Sequence, residues 1–240
     1  MGAMDYFGRA YVVNLAARTD RRREMERELG WAGLAPAPGK VEFFAAVRPE
    51  AAAPFATIGE RGCFLSHYHI LRDARDASLS SVLLMEDDLA ISPKFREQQG
   101  AVVEQLRSTE WDIAYLGHVE PVPDAATIAF RPVTTYLMTT HFYAVNGRVF
   151  DRLIEFLELV QSRPAGHPDG GPMPLDGALW TFRQQNPDVV TVIAEPNLGW
   201  QRSSRSDIAP AKWFDRVPLL ASAVSLARRG KVWLESRRKA

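Results

Sequence analysis

The chain has 240 residues, 46% of them hydrophobic and 10% aromatic, which fits one large or two small folded domains and excludes disorder as the default. Lys plus Arg number 29 and Asp plus Glu number 29, so the formal net charge is zero and no global field recruits nucleic acid; an anionic ligand must be held by local cations. The single cysteine, Cys63, excludes an internal disulfide framework and a cysteine-built zinc site and fits a reducing compartment, with core filler as its expected role.

No run reaches the roughly 20 apolar residues that span a bilayer, and the start lacks a charged-then-apolar signal peptide, so a cytoplasmic location is expected. Residues 1–9 read as an N-terminal extension or an expression scar. The first expected strand covers 10–15, and residues 16–23 turn it into a helix reaching about residue 29 with Thr19 as its cap. Arg18, Arg21, Arg22 and Arg23 crowd that loop and first turn, where the helix dipole favours an anion. They either face a phosphate or acidic partner or form a solvated basic face. After a Gly, Ala and Pro linker over 31–40, a second strand is expected over 41–47.

Thr57 and Glu60 have capping-box spacing, and Phe64, Leu65, Tyr68 and Leu71 continue an apolar stripe at helical spacing to about residue 74. Ser66 and His67 lie in that helix, where a lone histidine is more often packed than a ligand. Residues 82–85, Val-Leu-Leu-Met, have the unbroken apolarity of a strand buried on both faces, and the run stops at Glu86, Asp87 and Asp88. Three adjacent anions repel each other and resist burial, so they either face water or share a divalent cation such as Mg²⁺ or Mn²⁺.

A helix over 93–106, a strand over 112–116 and a loop over 120–131 come next, followed by strands at 133–138 and 141–145. Asn146 then caps a helix marked by Val149, Phe150, Leu153, Ile154, Leu157 and Val160. Helix breakers crowd 162–174, which predicts a mobile loop. Asp176 opens a helix ending near 185, a last strand covers 189–194, and a polar loop over 197–208 carries Arg202 and Arg205. The tail over 211–240 mixes apolar and basic residues, either as an ordinary packed helix or as an amphipathic one touching anionic membrane. Strands alternating with helices predict an α/β fold with a mostly parallel central sheet flanked by helices, Rossmann-like.

Three blocks, in this order and spacing, resemble glycosyltransferase family 25: Tyr11-Val12-Val13-Asn14-Leu15 with Arg18, Asp20, Arg21 and Arg22; Gly59 through His67, Gly-Glu-Arg-Gly-Cys-Phe-Leu-Ser-His; and Leu84-Met85-Glu86-Asp87-Asp88. The match covers about 11–208. It implies a single GT-A-like domain over 10–210, a UDP-sugar donor, Mn²⁺ or Mg²⁺ at the acidic triplet with Asp88 and Asp87 as ligands, and inverting transfer of a hexose, galactose in the first place, to a glycan or glycolipid hydroxyl. On that resemblance Asn14, Leu15, Arg18 and Arg22 are expected near the nucleotide, with Ser66, His67, Glu86 and Glu60 as further site residues. Arg202 or Arg205 is expected at the diphosphate, and Asp176 as the general base, with helix capping as its bland alternative. A non-catalytic sugar-nucleotide or glycan binding protein on the same fold is the rival reading. The short length and the Pro/Gly loop before Asp176 depart from the family pattern.

Overall fold

The computed structural model describes residues 2–202. The calls on Arg205 and on the tail lie outside the described residues. A seven-stranded sheet carries the fold: β1 (Arg9–Asn14), β2 (Val41–Ala45), β3 (Ser81–Glu86), β5 (Ile113–Gly117), β6 (Ala129–Pro132), β7 (Phe142–Asn146) and β8 (Thr191–Glu195), in the order β2-β1-β3-β7-β5-β8-β6. β1 pairs in parallel with β2 and β3, and β5 with β8, while β7 and β6 run against their neighbours. Most strands therefore share one direction, as predicted. A two-stranded ribbon of β4 (Leu89–Ile91) and β9 (Gly199–Gln201) stands beside the sheet.

Period-two alternation divides the apolar residues between two cores. Tyr11, Leu84, Tyr115 and Tyr143 face one layer, against α2 (Ile58–Asp76), α5 (Phe150–Ser162) and α6 (Leu175–Gln185). Val12, Leu83, Met85, Ala114 and Ala144 face the other, against α1 (Thr19–Trp31), α3 (Pro93–Glu97) and α4 (Gln99–Ser108). Met25 and Leu29 are wholly buried in that second layer, and removing such a side chain from water contributes about 1.5–3 kcal/mol. Among the described residues no helix is long and apolar enough to cross a membrane.

Several expected boundaries move. Thr19 is the first residue of α1 and Arg18 its N-cap, without a side-chain cap bond. The single helix predicted over 93–106 breaks at Gln98, with φ −123° and ψ 30°, into α3 and α4. The strand expected at 133–138 lies earlier, as β6, at the end of the segment read as loop. Asn146 caps a single 3₁₀ turn (Gly147–Val149), accepting from Arg148 N at 3.1 Å, and α5 follows that turn. Residues 163–174 hold no helix or strand, and Arg163 ties the loop inward by donating to Asp169 O at 2.6 Å.

Candidate active site

The carboxyl ends of β1 and β3, adjacent and parallel, open onto a cleft of about 470 Å³. Open α/β sheets bind ligands at such ends because the loops leaving neighbouring strands diverge there. Leu15, Ala17, Arg18 and Arg21 form one wall, Ala46 to Arg48 after β2 a second, Gly59, Gly62, Cys63, Ser66 and His67 of α2 the third, and Glu86, Asp87 and Asp88 the floor with Gln201.

The three carboxylates have different surroundings. Asp87 is 6% exposed and fully engaged: Asn14 Nδ2 donates to Oδ2 at 2.7 Å and Arg21 Nη1 to Oδ1 at 2.8 Å. Glu86 accepts from Gln201 Nε2 at 2.9 Å and from Thr140 Oγ1 at 3.3 Å. Burial and then the Asp88 charge push its carboxyl up to about 8, against the two hydrogen bonds. Asp88 is raised by burial, with Arg21 at 3.5 Å opposing the shift. Its Oδ1 is buried with no hydrogen-bond partner among the described residues. A buried carboxylate oxygen without a partner, on a residue that follows two other acids, is costly without a cation. The donor set, oxygen only, suits a hard divalent ion and so fits the metal that the sequence implied.

Arg202 does not line the cleft. Its Nη2 donates to Asp87 O at 2.9 Å, its backbone N donates to Asp88 O at 2.7 Å, and its Nη1 lies 3.7 Å from Glu24 Oε2. The residue clamps the back of the acidic turn. Arg22 also points away, to Glu26 and over the Phe43 ring with its guanidinium carbon 4.2 Å from the centroid. Arg21, one position earlier, takes the place at the cleft that was expected of Arg22. Glu60 is half-buried in the first turn of α2, where its backbone N donates to Thr57 Oγ1 at 3.0 Å, and it is not a lining residue. Thr57 caps α2 as expected.

Ser66 and His67 reach the cleft for different reasons. Ser66 Oγ accepts from Val47 N at 2.9 Å and donates to Gly62 O at 2.6 Å, so it fastens the segment after β2 to α2. Gly62 permits that approach, since a Cβ there would sit 2.5 Å from Val47 O. His67 is fully buried, stacks on Tyr143 at 5.8 Å between ring centroids and meets Tyr143 Oη through Nδ1 at 2.9 Å. Burial pushes its imidazole down to about 3, so it is neutral.

Asp176 lies in the first turn of α6, whose N-cap is Pro174. Its Oδ1 accepts from Gly177 N at 2.9 Å and its Oδ2 from Thr139 N at 3.3 Å. Thr139 has φ 77°, an uncommon setting for a β-branched residue, and bonds His141 Nδ1 through Oγ1 at 2.8 Å. The next two residues serve Glu86: Thr140 by its hydroxyl and His141 by its carbonyl, which accepts from Glu86 N at 2.9 Å. Asp176 thus braces the turn that holds Glu86. Burial and then a hydrogen bond to Asp176 hold the Tyr136 phenol up at about 12, and Tyr136 meets Trp180 edge-on at 6.1 Å.

Fold and site define an α/β protein with a carboxylate-floored cleft at the ends of two parallel strands. Residues 48–147 match the family described as glycosyltransferase family 25 (LPS biosynthesis protein), which supports assigning the chain to that family. A glycosyltransferase 25 family member of Drosophila melanogaster is 33% identical over 79% of this chain and 35% of its own length. Procollagen galactosyltransferase 1-A of Xenopus laevis is 27% identical over 66% of this chain and 30% of its own. A human relative, 31% identical over 50% of this chain and 23% of its own, bears the name inactive glycosyltransferase 25 family member 3. The chain therefore spans only about a fifth to a third of the length of the curated relatives it matches.

Proposed function

We propose that the chain is a metal-dependent, inverting glycosyltransferase that moves a hexose, galactose in the first place, from a UDP-sugar to a hydroxyl of a glycan or glycolipid acceptor. The observation that carries this reading is the acidic floor of the cleft, with Asp88 Oδ1 buried and without a hydrogen-bond partner among the described residues, beside a space large enough for a nucleotide. The family match and the galactosyltransferase relative support the choice of sugar. The unbroken sheet from Arg9 to Glu195 supports one transferase domain over 10–210.

In this reading Asp88 holds Mn²⁺ or Mg²⁺ and Glu86 assists. Held there, such an ion would supply positive charge to offset the negative charge of a departing diphosphate. Asp87, saturated by Asn14 and Arg21, is a positioning residue rather than a direct ligand. Arg18, a cleft residue at the N-cap of α1 whose guanidinium is held by Asp20 through two hydrogen bonds of 3.0 Å, is the arginine offered to the diphosphate. Arg202 keeps the turn in place. Asp176 takes the acceptor hydroxyl proton, and Tyr136 and Trp180 offer the acceptor sugar an aromatic platform beside it.

Binding of a panel of nucleotide sugars, with and without Mn²⁺, tests the assignment. Asp88→Asn should abolish the metal-dependent part while the melting temperature holds; unchanged metal dependence refutes Asp88. Asp176→Asn should lose about 10²-fold or more in kcat with donor binding nearly unchanged. If Asp176 only braces the Thr139 turn, donor affinity and melting temperature move instead and turnover follows them. Wild-type protein that binds donor but turns over none on any acceptor hydroxyl supports the non-catalytic alternative.

A further inference from the structure

We infer that Cys63, His67 and Glu86 form a second, softer metal site in the cleft, selective for Zn²⁺ or Co²⁺, which shares Glu86 with the oxygen-lined position at Asp88 but does not use Asp88. The three residues each present a ligand atom, and these atoms lie within 4.8 Å of one another. Cys63 and His67 are four apart on α2 and so project from one helix face, while Glu86 comes from the end of β3. Four-coordinate zinc with bonds of about 2.0–2.3 Å separates its ligand atoms by about 3.3–3.8 Å, so closure needs movement of about 1 Å shared among three side chains. A single cysteine cannot build a thiolate-only site. A mixed sulfur, nitrogen and oxygen set with one position left open is an ordinary zinc arrangement.

His67 supplies the independent observation. The side chain is fully buried, and its Nε2 has no partner among the described residues. With Nδ1–H donating to Tyr143 Oη, Nε2 carries the lone pair, and the phenol becomes the outer partner that fixes tautomer and ring orientation. The opposite tautomer would bury an unsatisfied N–H at a cost of about 1–3 kcal/mol. Burial, then Glu86, Asp176 and Asp88, raise the Cys63 thiol, which is the environment of an anion-rich pocket short of a cation. Binding releases the thiol proton to solvent and leaves the fourth position open to the cleft that Cys63 lines.

Because Cys63 is the only cysteine in the chain, thiol chemistry reads this site without interference. One equivalent of Zn²⁺ should slow modification of Cys63 by a disulfide reagent about tenfold or more, and Co²⁺ should produce a near-ultraviolet thiolate charge-transfer band that carboxylates cannot give. His67→Gln and Glu86→Gln should each weaken zinc protection about tenfold or more. Asp88→Asn should leave it within about twofold, which separates this site from the proposed catalytic one. Should His67→Gln fail to fold, Glu86→Gln and the Co²⁺ spectrum carry the same test. Unchanged Cys63 reactivity with stoichiometric Zn²⁺, or absence of the Co²⁺ band, overturns the proposal. So does protection that persists in Glu86→Gln.

Discussion

Arg21 and Gly62 show how single residues fix the cleft. Arg21 is the cationic partner of Asp87 and the nearest counter-charge to Asp88, with its side chain only 12% exposed. Arg21→Met leaves a buried carboxylate short of a partner, and removing one member of such a pair costs about 3 kcal/mol or more. The expected outcome is a lower urea midpoint at unchanged slope; an unchanged midpoint would show that Asn14 alone satisfies Asp87. Gly62→Ala drives a methyl against the Val47 carbonyl, and such overpacking costs about 1–3 kcal/mol. Of the site, the acidic triplet was legible in the sequence because an apolar run ending in three carboxylates has few physical outcomes. Choosing among Arg18, Arg21 and Arg22 was not, since neighbouring basic residues differ only in helix phase, and that phase is set by where α1 begins. The first turn begins at Thr19 and leaves Arg18 as the cap, so Arg21 faces the acids and Arg22 the Phe43 ring.

At the scale of elements, apolar patterning located α2 and α5, by a repeat near 3.6, and β3, by an unbroken run. It missed β4 and β9, three residues each, because so short a pair is defined by its partner rather than its own pattern. β5 and β8 meet at a further buried histidine. His118 is 1% exposed, and its Nε2 meets Ala194 O at 2.9 Å, so the neutral ring donates there. Burial lowers its pKa below 6.5. As pH falls through about 6.5 the unfolded chain takes up a proton that the folded ring still refuses, so the unfolded state binds more protons and stability declines on acidification. His118→Gln keeps a donor for Ala194 O and removes the titration. Its urea midpoint should fall less between pH 7.5 and 5.5 than that of the wild type; equal falls would place the acid sensitivity elsewhere.

For the molecule as a whole, the cleft draws on parts of the chain that are far apart in sequence. Gln201 reaches Glu86, and Arg202 reaches Asp87, each across 115 residues, while β1, β3 and α2 all precede residue 87. A divalent ion that binds only the folded site should raise the melting temperature in proportion to its saturation. Mn²⁺ should therefore stabilise the wild type and not Asp88→Asn, as a thermal shift titration can check. The clamp also sets an order of events during synthesis. The acidic turn emerges from the ribosome more than a hundred residues before the segment that closes over it, which at about 5–20 residues per second is a wait of about 6–23 s. Until the β4–β9 ribbon zips up, Glu86 lacks its Gln201 contact and the turn lacks its Arg202 backing, so the parallel core can be in place while the acidic floor is still open. A nascent chain released before Gly199 would hold every strand of the central sheet and lack a finished cleft.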